Sequence, residues 1–158
     1  MMESRLRVLE PKIGPILFQL PSRLHADCDR LGKFIRMLKQ GRRYAFEFRH
    51  PSWFERPVLK LLADHDIALC FSDHRDAPTP WEVTASFIYI RGHGPGGFYK
   101  GHYSGRTLRN WTKSIVKWRR RSRDLYVYFD NDQKAAAPAD AKRLVKMIGR
   151  EKTSRRSP

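Results

Sequence analysis

The sequence predicts an α/β fold built on parallel strands, either a β/α barrel or an open sheet. Three observations carry this. Short runs recur that are apolar on both faces, as parallel strands covered on both sides are. Segments with helical apolar spacing separate them, and such alternation implies a mainly parallel sheet with right-handed crossovers. The runs also end in knots of polar residues. Tyr44–Phe48 leads into Arg49-His50, and Ile67–Phe71 into Ser72-Asp73-His74. Phe87–Ile90 leads into Arg91-Gly92-His93-Gly94, and Leu125–Phe129 into Asp130-Asn131-Asp132. Delivering polar groups from strand C-termini is how barrels and open parallel sheets build sites.

Ile16–Leu20 is the first strand, stopped by Pro21. Leu24, Cys28, Leu31, Ile35 and Leu38 then form one apolar stripe of a helix, with Gly41 as its C-terminal cap. Tyr44–Phe48 is the second strand. Ser52-Trp53-Phe54-Glu55 has capping-box spacing with Pro57 in the first turn, so a helix is expected from Ser52 with Val58, Leu61 and Leu62 inward. Ile67–Phe71 is the third strand, Asp76–Pro80 a loop, Trp81–Ala85 a short extended stretch and Phe87–Ile90 the fourth strand. The glycine-dense stretch Gly92–Gly105 rules out regular structure there. The next helix buries Leu108, Trp111, Ile115 and Trp118 and turns Arg109, Lys113, Lys117 and Arg120 largely to other faces. Leu125–Phe129 is the fifth strand and Ala136–Ile148 the last helix. One domain over residues 1–149 is expected, followed by a basic disordered tail over 150–158.

An apolar fraction of 41% is enough to bury a core, which excludes global disorder. No apolar run approaches membrane-spanning length. The start of the chain lacks the apolar region of a secretory signal, so a cytoplasmic protein without membrane association is expected. Cys28 and Cys70 are too few for a disulfide framework and too isolated for a metal knuckle, which leaves them as small core residues. Lysine and arginine number 32 against 16 acidic residues, a net charge of +16 that attracts polyanions. Much of the excess is local, in Arg119-Arg120-Arg121-Ser122-Arg123 and in residues 150–156. A solvated basic surface and a nucleic-acid contact through Arg119, Arg120, Arg121 and Arg123 both fit, although no recognised RNA-binding motif is present.

Four motifs occur in order: Gly14-Pro15-Ile16-Leu17-Phe18-Gln19-Leu20-Pro21, Glu47-Phe48-Arg49-His50-Pro51-Ser52-Trp53, Tyr89-Ile90-Arg91-Gly92-His93-Gly94 and Tyr126-Val127-Tyr128-Phe129-Asp130-Asn131-Asp132. In these the chain resembles the YecE-like family, domain of unknown function 72, from roughly Ile13 to Gly149. The resemblance implies a TIM-type β/α barrel. Family members carry an earlier portion with a Ser-Gly-Trp strand and an Asn-x-x-Phe-Tyr pattern, neither of which occurs here. A full barrel needs eight strands, so the resemblance implies a partial barrel of about five, the C-terminal portion with its opening strands missing. Such a chain is expected to be a truncation, to need a complementing partner, or to stand alone as an open sheet. Open apolar edges invite self-association.

In a barrel the strand ends converge. Glu47, Arg49, His50, Asp73, Arg91, His93, Asn131 and Asp132 are then expected around one mouth, with Gln19 beside them. Two arginines suit bidentate contact with a carboxylate or phosphate, and carboxylates with imidazoles suit proton transfer. Glu47, His93 and Asp73 are the catalytic candidates. Gln19, Arg49, His50, Trp53, Arg91, Tyr99, Asn131 and Asp132 are the substrate-binding ones. Alternation puts Glu47 and Arg49 on one side of their strand, which suits a structural ion pair as well as a substrate role. His93 suits acid/base work or a hydrogen-bonded structural role. Glu47, Asp73 and His93 have the chemistry for a divalent cation, but nothing in the spacing demands one and no metal site is assigned.

The loop Gly94–Tyr103 is not a P-loop, since no Gly-Lys-Ser/Thr follows. It is a mobile surface loop or a lid bringing Tyr99, Lys100 and Tyr103 to a ligand. Trp53 serves core or rim packing, or a shelf under a ring; Asn131 and Asp132 also suit a plain turn. No triad assembles around Ser72, and the residues single out no particular cofactor, whose identity stays unknown. The expected function is a barrel enzyme acting on a small anionic or phosphorylated substrate. The alternatives are a nucleic-acid-binding module and an inactive truncated barrel.

Overall fold

The computed structural model describes residues 12–120 and 124–153. Five strands, β1 (Ile16–Gln19), β2 (Tyr44–Glu47), β3 (Ala68–Ser72), β4 (Ile88–Gly92) and β5 (Leu125–Phe129), pair side by side in chain order, every pair parallel. Among the described residues there are four α-helices: α1 (Cys28–Arg36), α2 (Arg56–Asp64), α3 (Gly105–Arg119) and α4 (Ala136–Thr153). The result is a curled half-barrel, the partial β/α barrel expected, with β1 and β5 at the edges of the sheet.

Alternation along the strands sorts side chains into two layers. Phe18, Phe46, Phe48, Leu69, Phe71, Ile88, Ile90, Val127 and Phe129 join Leu31, Ile35, Leu62, Leu108 and Ile115 of the helices in the main core. The opposite parity builds a second, smaller cluster from Ala45, Ala68, Cys70, Phe87 and Tyr89, with Leu17 and Tyr126 against it. Small residues dominate its centre, where the curl of the sheet crowds side chains together. Burial drives the pKa of the Cys70 thiol well up, with the Glu47 charge adding to it, so the thiol stays protonated.

Two local expectations are corrected. Ser52 does not cap α2. Pro51–Phe54 form a separate 3₁₀ turn, and α2 starts at Arg56 behind Glu55, whose side chain makes no cap. The Ser52 hydroxyl instead accepts from Ala26 N at 2.9 Å and pairs with His50 Nδ1 at 2.8 Å. Leu59 joins Val58 and Leu62 in the core, and Leu61 is partly buried against it. Gly41 is not the cap of α1, which is capped by Asp27 at its start and by Met37 at its end; Gly41 takes φ +77° in the turn before β2.

No helix connects β3 to β4. In its place Trp81 stacks on Phe71 and Trp118, with ring centroids 5.5 and 5.4 Å apart, and fills helix-side space. Thr84 receives the Leu69 N–H at 2.8 Å and donates to Ile67 O at 2.7 Å, so this stretch is a loop tied to β3 by a side chain rather than a strand. The last helix runs beyond Ile148 to Thr153; residues 154–158 of the expected tail lie outside the described residues. No described helix is long and apolar enough to cross a membrane.

Candidate functional site

Each strand that ends at the rim contributes a side chain of the same parity. On β2, Glu47 is fully buried, and Arg49, two residues on, faces the same way. Arg49 Nε donates to Glu47 Oε1 at 2.7 Å. Arg91, from β4, donates to the other oxygen, Oε2, at 2.6 Å. Gln19, at the end of β1, accepts through Oε1 from Arg49 Nη2 at 3.0 Å and from Arg91 Nη1 at 3.1 Å. The two guanidinium groups are thus held side by side by shared acceptors. Burial alone would lower the Arg91 pKa, but its bond to Glu47 and the charges of Glu47 and Asp130 raise it overall.

Two further groups complete the ring around the arginines. Asp130 holds Arg91 Nη2 at 2.5 Å from the outer side. The Tyr99 hydroxyl, from the glycine-rich loop, accepts from Arg49 Nη1 at 2.6 Å. Arg91 Nε–H and one Nη2 hydrogen have no partner among the described residues.

His93 sits beneath this layer with no exposed surface. Its Nε2 lies 3.2 Å from Arg49 Nη2. The same nitrogen lies 3.4 Å from Glu47 Oε1 and 3.7 Å from Asp130 Oδ2, so it faces a guanidinium and two carboxylates. The other ring nitrogen, Nδ1, faces Ser72 Oγ at 3.4 Å and Asp73 Oδ1 at 3.6 Å. Asp73 also accepts the His93 backbone N–H at 2.7 Å and the Tyr103 hydroxyl. Burial and the Asp73 charge push the Tyr103 phenol far up, so it remains a donor. His74 packs edge-on against His93 with centroids 5.4 Å apart; burial lowers its pKa and the Arg49 charge adds to that. Below the rim, Tyr89 stacks with Tyr126 and leans on Tyr128, and burial pushes its phenol up to about 12.

The glycine-rich loop is anchored from behind. Asp140 of α4 has no exposed surface; it accepts from Tyr103 N at 2.9 Å, Asn131 Nδ2 at 3.0 Å and Arg143 Nη1 at 2.7 Å. Asn131 donates in addition to Gly101 O at 2.7 Å. Gly97 makes the tightest passage: at φ +72°, a Cβ there would lie 2.3 Å from Arg75 N and 2.5 Å from Asp73 O.

The structure therefore brings together Gln19, Glu47, Arg49, Asp73, Arg91, His93 and Tyr99. It does not bring the others. The His50 ring lies tilted against His25, centroids 3.9 Å apart, and bonds Ser52. Trp53 is buried, stacked on Phe48 at 4.7 Å with Nε1 donating to Leu24 O at 2.7 Å, and offers no shelf. Asn131 turns toward Asp140, and Asp132 is exposed at the next turn. Arg119 and Arg120 are exposed at the end of α3; Arg121 and Arg123 lie outside the described residues. Asp130 and Ser72 were not among the candidates. Strand parity was the signal for Asp130, which continues the face of Tyr126 and Tyr128, whereas Asn131 falls on the other. Among the described residues no group of three or more His, Cys, Asp or Glu side chains is arranged to hold a metal ion.

Residues 1–158 match the model of a family described as protein of unknown function DUF72. No curated protein matches the chain. The solved structure of a DUF72 family protein from Thermotoga maritima MSB8 is 27% identical, with a TM-score of 0.80 over 94% of this chain and 64% of that one. Two structures of a DUF72 family protein from Enterococcus faecalis V583 superpose with TM-scores of 0.81 and 0.79 at 18% and 20% identity, a likeness of fold alone. They too are matched over 94% of this chain, and over 63% and 66% of their own length. The chain thus spans less than two thirds of the proteins it superposes on.

Proposed function

The chain belongs to the DUF72 family of proteins of unknown function, and on that premise we propose that the rim of its half-barrel binds a small ligand carrying a carboxylate or phosphoryl group. The YecE-like resemblance in the four motifs is the same assignment. One observation carries the proposal: Arg49 and Arg91, from strands that are not neighbours, share both Gln19 and Glu47 as acceptors. Guanidinium groups fixed in this way lose little rotamer freedom when they meet an anion.

Roles divide by geometry. Both Glu47 oxygens are taken by guanidinium groups, so Glu47 anchors the arginines and does not carry protons. The outer edge of Arg91, with its free Nε–H, is the contact for the anion. Asp130 competes for that edge and is the group an incoming anion displaces. Tyr99, on the loop, covers Arg49 and closes the side of the site. In an enzyme working on the bound anion, His93 would move the proton and Asp73 would orient its ring.

The test is calorimetric titration of the full chain with inorganic phosphate and with citrate. Removing an arginine outright would leave Glu47 short of partners, so Arg91→Lys is the main variant: it keeps the charge and loses the fork. The expected result is binding by the wild type and a loss of roughly tenfold or more in Arg91→Lys, equivalent to about 1.4 kcal/mol. Equal titrations for the two proteins would overturn the reading.

A further inference from the structure

α3 and its C-cap Arg120 carry five cations in one outward line. Arg106, Arg109, Lys113, Lys117 and Arg120 follow each other at steps of three or four residues and so share a face. That face is opposite the buried Leu108, Trp111, Thr112, Ile115 and Trp118. All five cations are exposed. The helix contains no acidic residue, and none of the five has a carboxylate partner among the described residues. Like charges four residues apart destabilise a helix, and a helix that needs only to be wetted mixes its signs. A one-sign line is therefore an expense that an anionic partner would offset.

The rest of the chain accentuates it. Glu47 and Asp140 are fully buried and Asp130 is turned to Arg91, so these carboxylates do not dilute the outer surface. α4, packed against α3, adds exposed Lys142, Lys146 and Arg150 at four-residue steps. At 1.5 Å per residue the line from Arg106 to Arg120 runs about 21 Å, over which one strand of a duplex presents about six phosphates. A lipid surface fits less well. A helix lying on a membrane needs an apolar face toward the lipid. Among the described residues the exposed large apolar side chains are Met37, Trp81, Phe98, Tyr99, Tyr128 and Val145; none is on α3, and α4 carries only Val145.

We propose that the outward face of α3, flanked by α4, docks the phosphate backbone of a nucleic-acid duplex. The surface shares no residue with the rim cluster. Arg120 belongs to the line, whereas Arg119, about 100° around the helix from it, does not, so the contact runs along the body of the helix. Contacts of this kind position a duplex without reading its bases, so binding should be indifferent to sequence.

The experiment is fluorescence anisotropy with the full chain, using a labelled 20-base-pair DNA duplex, an RNA duplex of the same length, and phosphatidylcholine vesicles containing phosphatidylserine. Duplex binding at ~50 mM salt is expected, weakening steeply as salt rises. Arg109→Glu/Lys113→Glu/Lys117→Glu should lower duplex affinity at least ~10-fold and flatten the salt slope by about 0.9 for each phosphate that is no longer neutralised. Arg30→Glu/Lys33→Glu/Arg36→Glu on α1 makes the same change in net charge and should cost less than ~3-fold if position rather than bulk charge decides. Equal losses in the two triples, no duplex binding at low salt, or tighter binding to vesicles than to either duplex would overturn the proposal. Circular dichroism reports whether each variant folds. If the α3 triple does not, Lys113→Gln/Lys117→Gln carries the same comparison.

Discussion

Arg91 of β4 reaches past the intervening β3 to Glu47 of β2, placing Nη1 2.6 Å from Oε2. Arg49 takes the other oxygen at 2.7 Å, so one buried carboxylate ties two strands that are not neighbours. Such a group is costly to bury alone and retained only because both of its oxygens are answered.

Replacing Glu47 should therefore be among the most damaging single changes in the chain. Glu47→Ala leaves two inward-facing guanidinium groups without their shared carboxylate and should cost about 3–5 kcal/mol, the range for breaking a buried pair. Glu47→Gln keeps the shape and one acceptor oxygen and should cost clearly less. Urea unfolding of the three proteins at neutral pH measures both. A Glu47→Ala loss below about 1 kcal/mol would show that water reaches the arginines and screens the pair.

Asp130 gives a prediction of opposite sign. It holds Arg91 Nη2 at 2.5 Å yet stays part-exposed, and in the proposed function it competes with the ligand. Asp130→Asn removes the competing charge while keeping the side-chain shape. Anion affinity should rise roughly 3- to 10-fold, the equivalent of about 1 kcal/mol. Weaker phosphate binding by calorimetry would make Asp130 a supporter of Arg91 rather than a rival of the ligand.

The strand set and its parallel order were legible because every strand is apolar on both faces and ends in polar residues. The convergence of Glu47, Arg49, Arg91 and His93 followed from that order together with alternation. What alternation also offered was the parity of the last strand: Leu125, Val127 and Phe129 face the helices, so Asp130 faces the mouth and Asn131 does not. The Ser52 cap failed for a different reason. A capping box is a local pattern, and a tertiary partner, the Ala26 N–H, took the hydroxyl. Asp140 was invisible because nothing local marks an aspartate in an amphipathic helix as the anchor of a loop 37 residues away in sequence.

Two glycines of the loop should respond differently to the same substitution. Gly97 and Gly101 both have positive φ, +72° and +76°, so alanine is strained at either. That conformational cost is about 1–2 kcal/mol. At Gly101 nothing lies closer than 3.8 Å to a new Cβ, whereas at Gly97 backbone atoms of Arg75 and Asp73 lie within 2.5 Å. Gly101→Ala should lose only the conformational cost. Gly97→Ala should lose more and should also shift Asp73, the residue that holds His93 and Tyr103. Thermal unfolding ranks the two variants. Equal midpoints would mean that the 95–97 turn moves away from Arg75 without penalty.

The acid side of the stability profile should carry a contribution from His74. Its ring is nearly buried, set edge-on to His93 and Tyr99, with Asp76 Oδ2 3.8 Å from Nδ1. Burial lowers its pKa from the ordinary 6.5, the charge of Arg49 acts in the same direction, and Asp76 opposes both. A lowered value means that below pH 6.5 the unfolded ring takes a proton that the folded ring resists. Its stabilising contribution is therefore complete above that pH and is lost as pH falls toward the folded value. Urea midpoints measured from pH 7.5 down to pH 5 should decline in the wild type. His74→Gln should lower the midpoint at pH 7.5, because Asp76 N donates to the ring at 3.3 Å, but its decline toward acid should be shallower. The slope is the readout. Parallel declines in the two proteins would assign the acid sensitivity to the carboxylates of the rim instead.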